Sequence, residues 1–434
     1  MPALSFTGDR QLRFPAPDVA RGFMLALIAL ANVPWWLKYF PDYPANRSEL
    51  LQVMNAADQW WFIVRSLFVD RRAYPLFSIL FGFGMAIMAM RTMERERRAA
   101  REAVSSEVSA GWAPVQHQIF DEEVERRARR AASRLIRRRG WWMLAFGALH
   151  GMVFAGDIIG AYGLVAVIFA EVVVSGRAWL LSLIGALFTA VFVLSMWGIA
   201  IAAGSGSMTL GSHPRGALHP LFPLISLGEW IIVTPMTLLM SLVVPSVMIG
   251  VGVARLGLLQ DPPGHRAILG AIAADGLTVG AAGGIPFALG QLGWAFADSL
   301  TWANPLYHLS GLVGACGWLA LLALIGGGPR ESLGTVCTFL SAIGRRSMTA
   351  YLSQTLVFIL VFGGLGVLGV RFVGSAVGAL IALGVWVLIG IGCILAEVRG
   401  SSRGPAERAL RSLVARSARP LPGTARPHTD LCKG

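Results

Sequence analysis

His150 and Asp157 stand seven residues apart in one of the most apolar parts of the chain, with Gly156 directly before the acid. A carboxylate that reaches an imidazole orients the ring and favours its protonated form, which is how a histidine becomes a general base. A turn at Gly156 bends the chain back and brings the two side chains near one another, with Tyr162 close behind. The competing reading is a histidine hydrogen-bonded to a neighbouring helix backbone. Asp18 and Arg21 are three apart, hence on one helix face. They form either an ion pair that fixes the start of a helix or an arginine held in place to meet a cytoplasmic anion. Glu171 and Asp275 are further acids in apolar runs. Each is costly there unless paired or solvated, and is read as a relay or as a partner for an arginine. Asn32, Gln291, Tyr351, Ser353 and Gln354 are polar residues in apolar segments, where interhelical hydrogen bonds contribute roughly 0.6 kcal/mol each. Cys316, Cys337, Cys393 and Cys432 form no metal-ligand spacing, and His213 with His219 is a weak pair, so no metal is expected. No phosphate-binding glycine loop or nucleophile elbow is present.

These residues need a scaffold that composition already defines. Of 434 residues 55% are hydrophobic and 14% charged, and mean hydropathy is +0.62, against roughly 25% charge in soluble domains. Disorder and a disulfide scaffold are excluded. The expected class is all-α, a polytopic integral membrane protein of about ten helices, because lipid-exposed backbone must satisfy its hydrogen bonds internally. Apolar runs at 19–37, 74–90, 141–155, 157–175, 179–203, 230–256, 268–294, 305–325, 348–370 and 372–396 approach the length of a span. The stretch 60–69, interrupted by Arg65, reads as an interfacial or re-entrant half-helix. Residues 1–17 form a polar N-terminal segment with no cleavable signal pattern, 18–400 the transmembrane domain, and 401–434 a basic tail.

With both termini cytoplasmic, 30 of the 37 Lys and Arg fall on the cytoplasmic side, as the positive-inside rule requires. The net charge of +13 thus reflects a lipid bilayer as partner, and no nucleic acid is expected. The excursion 91–139 carries 13 of these arginines. It reads as a solvated topology anchor, or as a basic helix with a weak apolar stripe (Val124, Ala128, Ala131, Ala132, Leu135, Ile136) suited to the anionic inner leaflet. Gly374 and Gly378 form a small-xxx-small pair fit for packing or for dimerisation, so an oligomer stays open.

Five motifs carry a family resemblance. Asp18, Arg21 and Gly22, followed by an apolar helix reaching Asn32, resemble the opening DxxRG…N of the YeiB-like family of bacterial membrane proteins (domain of unknown function 418). Residues 76–84, LFSILFGFG, resemble its second-span motif. His150 and Gly151, then Gly156, Asp157 and Tyr162, resemble its HG…GDIL…Y signature. Gly344, Arg345, Met348, Thr349, Tyr351 and Gln354 resemble the start of its C-terminal region. Gly404, Pro405 and Glu407, with Arg411 four later, resemble its closing GPxE…R. Ala350 replaces the usual Asn, and Arg408 stands where Trp is favoured. The opening motif is also similar to that of membrane acyltransferases of the heparan-glucosaminide acetyltransferase type, which pass an acyl group from cytoplasmic acyl-CoA to a sugar.

The resemblance implies an inner-membrane protein that transfers an acyl group to an envelope glycan or lipid. His150 would be the base and Asp157 would orient it. Asp18, Arg21, Asn32, Tyr162, Arg345, Tyr351 and Gln354 would bind the donor or substrate, with acyl-CoA as donor. Those acyltransferases carry a His between the first two spans, and residues 38–73 contain none. Here His150 takes that role or the enzyme reading fails. The alternatives are a transporter or exporter of a small solute using Asp157, Glu171 and Asp275, and a scaffold that presents 91–139 to a partner.

Overall fold

The computed structural model describes residues 15–104, 109–204, 221–296, 300–328 and 333–418, and every regular element among them is an α-helix. In chain order these are α1 (Pro15–Leu37), α2 (Arg47–Val53), α3 (Ala56–Phe68), α4 (Ala73–Glu102), α5 (Pro114–Gly151), α6 (Ile159–Ile168), α7 (Ala170–Ser175) and α8 (Ala178–Gly204). They continue with α9 (Phe222–Leu239), α10 (Val243–Leu256), α11 (Arg266–Leu292), α12 (Leu300–Gly326), α13 (Thr335–Gly344), α14 (Ser347–Val367), α15 (Ser375–Val398) and α16 (Pro405–Arg416). Eight segments are long and apolar enough to cross a membrane by length and composition, and α6, α10 and α13 are shorter apolar helices.

The bundle is organised around α1. Its apolar window is 72% buried, whereas that of α8, the more hydrophobic of the two, is only 11% buried. A helix that is greasy all round yet displays Leu183, Leu187, Leu194 and Trp197 faces lipid rather than water. Around α1 pack α4, α12, α13, α14 and α15. Close seams rest on glycine. A Cβ at Gly22 would lie 2.0 Å from the Leu340 carbonyl oxygen, and one at Gly344 would lie 1.9 Å from that of Asp18. Gly82 and Gly250 do the same for α4 against α10. Small residues let backbones approach where no hydrophobic force drives helices together in lipid. Gly378 meets Val33 and Leu37 of α1, and Gly374 meets Asp58, so this small-residue pair serves internal packing.

Two expected spans are each broken. The run 157–175 divides at Phe169 into α6 and α7, and the run 230–256 divides at Met240–Leu242 into α9, which starts earlier, and α10. Hydropathy does not register these breaks because Phe169, Met240 and Leu242 are apolar and the lone Ser241 barely lowers a window average. The stretch 60–69 lies largely within α3, which ends at Phe68 and is followed directly by α4. The excursion 91–139 is no separate unit. Helix α4 runs on to Glu102, and α5 is continuous from Pro114 through the expected third span, with Arg97 and Glu125 joining them at 2.7 Å. Val124, Ala128, Ala132 and Ile136 are buried in this helix pair, which corrects the reading of that stripe as a membrane-surface face.

Candidate functional site

The turn after α5 places His150. Val153 and Phe154 donate back to the His150 carbonyl at 3.0 and 2.9 Å, and the Asp157 N–H closes on Phe154 at 3.1 Å. Asp157 then reaches in two directions. Its Oδ2 accepts from the Gly160 N–H at 2.7 Å, capping α6, and from Trp230 Nε1 at 3.3 Å. Its Oδ1 lies 2.7 Å from His150 Nδ1. The other ring nitrogen, Nε2, lies 2.9 Å from the Thr355 hydroxyl on α14. The imidazole and carboxylate are almost wholly enclosed, at 5% and 0% side-chain exposure. Glycines make the room: the Trp230 indole lies against Gly151 and Gly160, and Gly147 faces the Asp157 carboxylate. A Cβ at either of the first two would strike the indole at 2.5 Å or less.

A cavity of about 400 Å³ lies beside this group. Its polar end is lined by Asp18, Arg21, Arg139, Arg345, Arg403 and Glu407, and its apolar wall by Phe77, Leu80, Phe81, Met85 and Met143. Arg21 bonds Asp18 at 3.1 Å. Arg345 donates to Ser341 Oγ at 2.9 Å and pairs with Glu397. Buried Arg346 braces the floor by donating to the Ala342 and Ser401 carbonyls. Arg139 and Arg403 have no ion-pair partner among the described residues. Two tyrosines also line the cavity. Tyr162 is stacked on Phe81, with its hydroxyl 3.1 Å from Ser78 Oγ. Tyr351 lines the cavity while its ring centroid lies 5.1 Å from that of His150. Arg139 and His150 are eleven residues apart on α5, about 16 Å along a helix. Arg139, which lines the cavity, and the imidazole, which does not, thus sit at two levels of the same helix.

The closing motif builds the cavity's rim. Glu407 accepts from the Met348 and Thr349 N–H groups at 2.7 and 3.1 Å and from Thr349 Oγ1 at 2.5 Å, while Ala406 N–H donates to that same hydroxyl at 3.0 Å. The first turns of α14 and α16 thus cap each other, satisfying donors that a helix start leaves open. Leu410 of α16 is buried against the cavity.

Of the residues singled out in the sequence, Asp18, Arg21, Tyr162, Arg345 and Tyr351 share the cavity, and His150 with Asp157 forms the deeper pair. Gln354 is buried and donates to the Leu25 carbonyl at 3.0 Å, tying α14 to α1 away from the cavity. Asn32 is half-buried on α1 and does not line it. Glu171 pairs with Arg137 at 3.2 Å and is 62% exposed, and Asp275 is exposed on α11, so neither joins Asp157 in a chain of acids. His213, His219 and Cys432 lie outside the described residues. Sequence reasoning missed Thr355, Trp230, Arg139 and Arg403. Thr355 was within reach, being four residues after Tyr351 and so on the same helix face.

No curated protein and no solved structure matches the chain. Residues 253–417, which hold Arg345, Tyr351, Thr355 and Glu407, match the family described as "Protein of unknown function (DUF418)". His150, Asp157 and the opening motif precede that stretch. In agreement with the resemblance drawn from the motifs, the chain carries a DUF418 domain extending from the end of α10 to the end of α16.

Proposed function

We propose that this is a multi-pass protein of the bacterial inner membrane, both termini cytoplasmic, that transfers an acyl group from a cytoplasmic donor to an envelope glycan or lipid. The observation that carries the reading is the buried Asp157–His150 pair set behind an arginine-lined, apolar-walled cavity. Four arginines around one end, against the carboxylates of Asp18 and Glu407, suit an anionic head with several phosphate oxygens, which arginine binds bidentately. The apolar wall suits the rest of an amphiphilic donor such as acyl-CoA. Asp157, acting as acceptor, holds His150 in the tautomer with the proton on Nδ1, so the Nε2 lone pair, directed at the Thr355 hydroxyl at 2.9 Å, can accept a proton. Because the arginine level belongs to the side rich in basic residues, the donor arrives from the cytoplasm and the imidazole acts deeper in the bilayer.

The test uses the full-length protein in proteoliposomes supplied with acyl-labelled CoA on one face and membrane glycan and lipid acceptors on the other. Transfer should occur with wild type and fall at least about 100-fold in His150→Ala. A His150→Ala protein that still transfers at the wild-type rate removes the histidine from the reaction. Access of a membrane-impermeant thiol reagent to Cys432 from the outer face alone would invert the orientation.

A further inference from the structure

We infer that Thr355 is the nucleophile of this reaction and carries the acyl group as an ester between two half-reactions. The inference rests on the acyl-transfer reading and specifies how it proceeds. Both nitrogens of His150 are engaged: Nδ1 by Asp157 at 2.7 Å and Nε2 by Thr355 Oγ1 at 2.9 Å. Asp157 is saturated as well, its second oxygen taken by Gly160 and Trp230. A carboxylate on Nδ1 requires the proton there, which leaves Nε2 as a lone-pair acceptor aimed at the threonine hydroxyl. That is the polarity by which an imidazole activates an alcohol rather than an external water. A base acting directly on an incoming acceptor would need a free nitrogen, and this ring offers none. Thr355 is 5% exposed and stands one turn beyond Tyr351, which lines the cavity and has its ring centroid 5.1 Å from that of His150. The inferred route from the cavity to the hydroxyl runs past the Tyr351 ring.

In the first half-reaction Thr355 Oγ bonds to the carbonyl carbon of an acyl thioester. Its proton passes to His150 Nε2 and on to the departing sulfur, and the donor leaves as a free thiol. In the second, an acceptor hydroxyl attacks the Thr355 ester. The acceptor's proton moves to Nε2 and returns to Thr355 Oγ as the old ester bond breaks. The covalent stop accounts for the separation of about 16 Å between arginine level and imidazole along α5. The donor's head stays near the cytoplasm while the acyl group alone continues inward.

The experiment incubates purified full-length protein in detergent with acetyl-, butyryl- and octanoyl-CoA labelled in the acyl group, followed by intact mass and peptide mapping. Wild type and Thr355→Ser should gain one acyl mass on the peptide bearing residue 355. Thr355→Val should gain none and lose transfer by about 1,000-fold or more, while eluting and melting as wild type. Thr355→Cys should form an adduct that neutral hydroxylamine cleaves, where the wild-type ester resists it. Wild-type transfer by Thr355→Val, with His150→Ala inactive, overturns this inference and leaves acyl transfer standing. A wild-type protein that neither transfers nor acquires any of the three acyl groups overturns both.

Discussion

Replacing Gly344 by alanine loads the closest helix contact among the described residues. The new Cβ would lie 1.9 Å from the Asp18 carbonyl oxygen, where ordinary contact begins at 3.4 Å, so α1 and α13 must separate by about 1.5 Å. The obstacle is backbone and cannot rotate aside. Overfilling a packed interior costs about 1–3 kcal/mol, and an overlap of this depth belongs at about 3 kcal/mol. Gly22 poses the same problem from the other helix, against the Leu340 carbonyl at 2.0 Å. Whichever is changed first parts the seam for the second. Gly22→Ala and Gly344→Ala should therefore cost about 3 kcal/mol each and about 4 kcal/mol together, a coupling of about 2 kcal/mol. The assay is thermal unfolding of detergent-purified protein, reported by thiol-dye labelling of Cys393, which is 6% exposed in the fold. Because Asp18 and Arg21 on α1 face Arg345 just beyond α13, acyl-CoA affinity should fall with stability in each variant. Wild-type midpoints for both single variants, or strictly additive losses in the double, would mean that the α1–α13 seam is not held at backbone contact.

Glu407→Ala removes three accepted hydrogen bonds from the start of α14 and should cost about 2 kcal/mol, with faster proteolytic removal of α16. Unaltered proteolysis would mean the cross-cap is dispensable. Trp230→Phe keeps a ring against Gly151 and Gly160 but deletes the indole N–H to Asp157. It should lose about 1 kcal/mol or less and slow transfer, whereas Trp230→Ala, which empties the site, should lose about 3–5 kcal/mol. Acid should loosen the α4–α5 contact. Burial pushes the Glu125 carboxyl up, but hydrogen bonds and charge from Arg129 and Arg97 outweigh it and hold the group below its usual range. A carboxyl with a lowered folded value contributes fully above the unfolded value of about 4.3 and progressively less as pH falls through the lowered one. Protection of the amides along 91–102, taken relative to their intrinsic exchange rates, should thus be flat from neutrality to about pH 5 and fall below about pH 4, with Glu125→Gln less protected throughout.

The class of fold was legible because it depends on bulk quantities: charge fraction and apolar run length. The helix breaks at Phe169 and Met240 were not, since hydropathy is blind to where an apolar chain turns. The pairing of His150 with Asp157 was readable because both partners sit on one hairpin, where spacing and a glycine determine proximity. Thr355 lies 205 residues from His150 and Trp230 73 residues from Asp157, and no local spacing encodes such contacts. Gln354 shows the reverse error. A buried amide in an apolar helix resembles a ligand group in sequence, yet it satisfies a carbonyl on α1. Arg139 was missed for a further reason. Arg139 closes a run of basic residues that serve topology, and only packing separates the one that faces the cavity from its neighbours.

The most direct test of a cytoplasmic anion cavity feeding a deeper imidazole relay is a cryo-electron microscopy structure with a non-transferable thioether analogue of acyl-CoA. Phosphate density should lie among Arg21, Arg139, Arg345 and Arg403, with Tyr351 turned aside and the acyl carbon adjacent to Thr355 and His150. Density for the analogue elsewhere on the protein, with Tyr351 unmoved and the cavity filled by lipid, would contradict that arrangement.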